Sequence, residues 1–201
     1  MVAVKLKNFV VLWVGVIFSL FIIFSPLASA ELVKFKEGGC SFSLPVYDAY
    51  EKFEASWDGP RVNGLAEGEG VVKYTIEYED KTKYEAEGKM TMKQGILQGK
   101  GTLKFTNGDR LDINFVDGEP QSGIVMRADG RKYEGEFYHN LANGKGVFTG
   151  ADGSSYDGYF KMDKPHGFGI ARDKNGTIIY QGEWLNGFRA DDPAANRSLT
   201  G

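Results

Sequence analysis

The sequence predicts an all-β protein: an elongated single-sheet ribbon of successive antiparallel β-hairpins, preceded by an N-terminal apolar targeting helix. Three observations carry that prediction. The first is a period. Tyr133-Glu134-Gly135-Glu136-Phe137 returns as Tyr156-Asp157-Gly158-Tyr159-Phe160 and again as Tyr180-Gln181-Gly182-Glu183-Trp184, with starts 23 and 24 residues apart. A fixed period in this range marks an array whose units bury their apolar faces only against their neighbours. The second is composition: 27 glycines among 201 residues beside 13% aromatics. That mixture suits short aromatic strands joined by glycine turns, and disordered chains lack such aromatics. The third is punctuation. Asn107-Gly108, Asp117-Gly118, Asp129-Gly130, Asp152-Gly153 and Asn175-Gly176 are pairs at which a positive φ is cheap, so each reads as a tight turn.

Taken in order, residues 1–30 read as a targeting segment. Lys5 and Lys7 precede an apolar run from Phe9 to Phe24, Ser25-Pro26 breaks it, and Ala28-Ser29-Ala30 has the small-x-small form of a signal-peptidase site. The run is short for a helix crossing roughly 30 Å of hydrocarbon. Cleavage near Ala30 and export to a periplasm or to the outside is the favoured reading, with a membrane anchor at residues 9–24 as its alternative. Residues 31–52 form a cap segment in which Ser41-Phe42-Ser43-Leu44 alternates like a strand, as an array end requires. Cys40 is the only thiol; it is read as a small buried residue, or else as a partner for a second chain.

The array is placed at residues 53–189. Tyr47, Tyr50, Phe53 and Trp57 fit a helix, whereas Phe53, Ala55 and Trp57 fit a strand. The strand is favoured because Asn63-Gly64-Leu65-Ala66-Glu67-Gly68-Glu69-Gly70 parallels His139-Asn140-Leu141-Ala142-Asn143-Gly144-Lys145-Gly146. A longer hairpin follows at Val71–Tyr78 and Tyr84–Met92. Leading positions Gly88, Leu111, Tyr133, Tyr156 and Tyr180 then mark units that sharpen toward the C-terminus. Residues 190–201 are small, polar and aperiodic, and read as a disordered tail.

Within a strand, residues two apart share a face, so Tyr133, Gly135 and Phe137 lie on one side and Glu134 and Glu136 on the other. Glycine weakens a strand by propensity, and its recurrence here predicts that a ring from the neighbouring strand lies across the bare backbone. The full pattern is aromatic-acid-Gly-acid-aromatic, a turn, Gly-x-Gly, then Asp-Gly, and it resembles the MORN (membrane occupation and recognition nexus) repeat. The likeness is specific over Tyr133–Phe188, looser over 99–130 and faint over 53–92. It implies a twisted ribbon of hairpins used as a non-catalytic interaction scaffold, with a role at phospholipid membranes attributed to the family.

The residues themselves hold no Gly-x-Ser-x-Gly, His-Glu-x-x-His or phosphate-cradling Gly-Lys-Ser/Thr motif. His166 reads as a structural position in its repeat. Glu134 and Glu136 recur with the period as a wet face rather than an acid–base pair. Asp173-Lys174-Asn175-Gly176-Thr177 is a turn, since a calcium loop would need a closing Glu further on. A net charge of −3 argues against nucleic acid, and no cofactor is expected. The expected binding groups are the ladder Tyr133, Phe137, Tyr156, Phe160, Tyr180 and Trp184, left partly open as a groove. The expected partner is another protein, with a phospholipid or polysaccharide as the alternative, and the array ends offer self-association.

Overall fold

The structure, a computed structural model, describes residues 31–37, 40–46, 50–78 and 81–193; residues 1–30, read above as a targeting segment, and residues 194–201 lie outside it. A hairpin comes first: β1 (Glu31–Glu37) pairs β2 (Cys40–Val46) from Glu31↔Val46 to Glu37↔Cys40. β3 (Tyr50–Asp58) and β4 (Arg61–Val62) run out to a turn, and β5 (Leu65–Ala66) and β6 (Gly68–Tyr78) return from it. The same path recurs in β7 (Lys83–Lys93), β8 (Ile96–Leu97) and β9 (Gly99–Phe105). Shorter hairpins follow: β10 (Arg110–Val116) with β11 (Glu119–Met126), and β12 (Lys132–Tyr138) with β13 (Leu141–Thr149). β14 (Ser155–Lys161) with β15 (Lys164–Arg172), and β16 (Ile178–Leu185) with β17 (Phe188–Arg189), complete the series.

Nearly all of these strands pair in sequence order in one 13-stranded sheet, which is the predicted ribbon. The region around Trp57 is strand, not helix. At the N-terminus a hairpin stands where one cap strand was expected. It pairs with β5 through Ser41↔Leu65, in a separate four-stranded sheet ordered β1-β2-β5-β4. It therefore lies at the tip of the first array hairpin, and the free edge of β3 has no strand partner among the described residues.

The two rims of the ribbon use different turns, and the reason is in the loop lengths. Asn107-Gly108, Asp129-Gly130, Asp152-Gly153 and Asn175-Gly176 lie in three-residue loops: a type I turn is closed by the glycine N–H, as from Gly130 to the Arg127 carbonyl (3.0 Å). Asp117-Gly118 does not belong with them. It lies on the opposite rim, in a row of two-residue turns with both residues left-handed. Two of these turns lack glycine altogether: His139-Asn140 (φ 47° and 64°) and Met162-Asp163 (φ 50° and 65°).

This second rim is tied laterally. Backbone N–H groups of Gly95, Gly118, Asp163 and Gly187 donate to the carbonyls of Ala66, Leu97, Ala142 and Pro165, one hairpin back. Side chains add to the ladder. Glu67, Gln98 and Asn143 accept from the N–H groups of Gln94 (2.7 Å), Asp117 (2.8 Å) and Met162 (3.4 Å). His166 holds the corresponding place ahead of the Asn186-Gly187 turn, with its buried Nδ1 making no hydrogen bond. Four of the hairpin tips are thus tied to the one before, which helps hold the long sheet in register.

The core is a string of rings set in glycines. Cross-strand register aligns Gly123, Gly135, Gly146, Gly158, Gly169 and Gly182 in one row across six strands. Over Gly135, Gly158 and Gly182 the ring comes from the glycine's own strand, two residues earlier, whereas over Gly146 and Gly169 it comes from the neighbouring strand, as predicted. Tyr133 lies over Gly135 and Gly146, Tyr156 over Gly158 and Gly169, and Tyr180 over Gly182. Each hydroxyl reaches past the glycine and donates to the carbonyl three residues on: Tyr133 to Glu136 (2.8 Å), Tyr156 to Tyr159 (3.0 Å) and Tyr180 to Glu183 (3.0 Å). Burial pushes the Tyr133 and Tyr156 hydroxyls well above the ordinary phenol range, so both remain donors at any working pH. Two buried clusters, around Trp57–Leu103 and around Ile113–Trp184, meet at Leu111 and Phe115.

Candidate functional site

The six rings expected to bind a ligand form one edge-to-face chain. Centroid separations are 5.2 Å for Phe137–Tyr133 and Tyr133–Phe160, 5.1 Å for Phe160–Tyr156 and Tyr156–Trp184, and 5.2 Å for Trp184–Tyr180. This is the favourable geometry for aromatic quadrupoles, and it joins three hairpins. Five of the six have at most 6% of their surface exposed, so they offer no ligand a face to stack on. Tyr180 is half-buried, with the Arg189 guanidinium 4.4 Å from its ring. Register shifts fall between Gly135 and Phe137 and between Gly158 and Phe160, and such bulges bend the strand that carries them. Ala142 belongs to the ring cluster, and Asn140, Leu141 and Asp163 of the tips are buried as well.

The opposite face is open, and the strand period places a different set of side chains on it. One row crosses six strands as Ile124, Glu134, Val147, Asp157, Ile170 and Gln181, with return strands giving the aliphatic members and outgoing strands the polar ones. The adjacent row carries Lys145 opposite Tyr159 and Phe168 opposite Glu183. Tyr159 is 45% exposed and Phe168 47%, with the Lys145 ammonium 5.6 Å from the Tyr159 ring. Exposed rings of this size on a rigid sheet make a surface for apolar and stacking contacts, flanked by the carboxylates Glu134, Glu136, Asp157 and Glu183. The ladder prediction passed over Tyr159, although its place between Gly158 and Phe160 in a period-2 strand puts it on the face away from Tyr156.

Near the N-terminus the same outer face is hollowed and polar. A trough of about 1160 Å³ is lined by Glu54, Lys73, Glu85, Glu87, Lys89 and Lys104 among others, with Lys73 and Glu87 paired at 3.3 Å. Among the described residues no three His, Cys, Asp or Glu side chains converge as metal ligands.

The largest carboxyl perturbation lies on the turn rim. Asp163 is buried, accepts from the Ala142 N–H (2.7 Å), and burial pushes its carboxyl up to about 7. The unfolded chain ionises near pH 4 while the fold still holds the proton. The contribution of Asp163 to stability is therefore fully present below that pH, falls between about 4 and 7, and is flat above, opposite in sign to that of the depressed carboxyl of Asp109. At about 1.4 kcal/mol per pH unit the loss is on the order of 2–4 kcal/mol. Asp163→Asn keeps an acceptor for Ala142 and matches Asn140, its counterpart in the preceding turn. It is expected to remove most of this slope, read as the difference in thermal midpoint between pH 5 and pH 8. An unchanged slope in the variant would clear Asp163 of the effect.

The MORN repeat family model matches residues 91–110, 133–155, 156–178 and 180–190. The chain is a MORN repeat-containing protein. These repeats act in protein and membrane-lipid interactions and are generally non-catalytic modules. No curated protein matches the chain.

Proposed function

We propose that this protein is an exported, non-catalytic scaffold that binds another protein along the outer face of its ribbon. The observation that carries the reading is the outer strip itself. Tyr159 and Phe168 stand exposed beside Val147 and Ile170 on a sheet whose opposite face is spent on its own core. The family's use in protein and lipid interactions supports the class of function. The charged, apolar and small-x-small sequence of residues 5–30 supports export, and a mature N-terminus at Glu31 in intact-mass spectrometry is the expected result.

The binding test replaces Tyr159 and Phe168 together by serine, a change confined to exposed side chains and expected to cost little stability. Used as baits in extract from the source cell, the wild-type chain should enrich a partner at least tenfold over this double variant. Equal recovery on both baits would reject the outer strip. Selective flotation with anionic phospholipid vesicles, again lost in the double variant, would move the reading from a protein to a lipid surface.

A further inference from the structure

The two ends of the ribbon differ in a way that selects how copies of the chain meet. Any open sheet exposes unpaired backbone donors and acceptors along its outermost strands, and proteins block such edges with charge, proline or a covering segment. At the N-terminal end, β3 carries the solvent-exposed pair Lys52–Glu54 (2.7 Å) together with the exposed Asp58. That edge is guarded. At the C-terminal end, β17 pairs β16 only at Trp184 and Leu185, and the Ala190 N–H covers the Glu183 carbonyl. Ile178-Ile179-Tyr180-Gln181-Gly182 is left without a strand partner on its outer side among the described residues. It contains no charge and no proline. Its Ile178 and Ile179 are two adjacent exposed aliphatics, at 51% and 52%, a level matched among the other described aliphatics by the single Val62 at 53%.

We infer that Ile178–Gly182 pairs antiparallel with the same segment of a second copy, across a two-fold axis perpendicular to the sheet. A strand can serve as its own antiparallel partner, so the contact closes as a dimer. Pairing of the C-terminal edge with β3 would instead set bare isoleucines against charges and propagate as a filament. By the strand alternation, the Gln181 N–H and C=O point the same way as the Glu183 carbonyl, away from β15, and are offered to the partner. The two-fold axis keeps both outer faces on one side, so the Tyr159–Phe168 strip of one copy continues toward that of the other. Five residues bury less than the roughly 1,200 Å² of a standard stable interface, so the dimer is weak and concentration-dependent.

The test is sedimentation equilibrium of the full chain, produced in an exporting host, from about 1 µM to about 500 µM, a range that brackets weak association. A reversible monomer–dimer equilibrium is expected, weakened at least tenfold by Ile179→Lys and unchanged when Lys52 and Glu54 are replaced by serine. Hydrogen exchange of the wild-type chain needs no variant: Gln181 amide protection should rise with concentration while β3 amides stay constant. A monomer throughout, species that grow beyond the dimer, or association insensitive to Ile179→Lys would each overturn the inference. Replacing Tyr159 and Phe168 by serine should leave the dimer intact, so failure of the partner-binding proposal and failure of this one are separate results.

Discussion

Replacing Tyr156 by alanine is expected to cost about 3–5 kcal/mol, the range for removing a large ring from a packed core. The ring is 1% exposed and touches both Phe160 and Trp184, so its loss opens the chain of rings at its centre. Neighbouring strands cannot close the gap, because Gly158 and Gly169 beneath it have no side chains to move in. In an array of nearest-neighbour contacts the damage should be local. Hydrogen exchange is expected to show β14 to β16 losing protection while β6 and β7 keep theirs, and urea unfolding should give the magnitude. Tyr156→Phe keeps the ring and gives up only the bond to the Tyr159 carbonyl, for about 1 kcal/mol. Loss of less than 1 kcal/mol in the alanine variant would mean that the rings are not the core.

Gly158→Ala tests the same arrangement from below. A methyl there would lie 2.6 Å from the Gly169 Cα, 2.7 Å from the Phe168 carbonyl oxygen and 2.7 Å from the Tyr156 hydroxyl oxygen. Two of those three atoms belong to the backbone of the paired strand, and the third to a ring wedged between two others. Nothing in the set gives way cheaply. The substitution should cost about 1–3 kcal/mol or more from overpacking alone. Gly176→Ala is the informative comparison. That glycine sits at φ 82° with open space around it, so alanine there pays only the left-handed strain of about 1–2 kcal/mol. A strand glycine without φ strain proving as costly as the strained turn glycine, or more so, marks close packing as its reason to be glycine.

The ribbon of hairpins was legible because its signals are local and repeated. Tyr133, Tyr156 and Tyr180 set the period, and the Asp-Gly and Asn-Gly pairs set most of one rim. What the chain did not display in one dimension was curvature. Strand alternation sorts side chains onto two faces, but it does not say which face the hairpin tips will close over. The tips close on the side of the rings, where Ala142 joins their cluster, and five of the six ladder rings are buried. Asp117-Gly118 is the tight turn its dipeptide announces, but the dipeptide fits both turn types and only loop length separates the two rims. That the same tyrosine would also cover the glycine of its own strand, Gly135 or Gly158, was hidden, because a ring leaning along its strand and one reaching across leave the same spacing.

Tyr159 and Phe168 were within reach of the sequence, since each follows or precedes a row glycine by one residue and so must face away from it. The rings at Tyr133 and Tyr156 drew attention by their recurrence, and recurrence turned out to mark structure. The outer strip varies from unit to unit, with Glu136, Tyr159 and Glu183 in equivalent places. In an array, the positions that depart from the period are where one surface can be told from another.

The most direct measurement is oxidative footprinting of the folded full chain, with modification of each aromatic read by mass spectrometry. The account predicts that Tyr159 and Phe168 label readily while Tyr133, Tyr156 and Phe160 stay protected until the chain is unfolded. Labelling of Tyr156 and Phe160 at rates comparable to Tyr159 in the folded protein would contradict it, and would return the glycine-flanked rings to the surface.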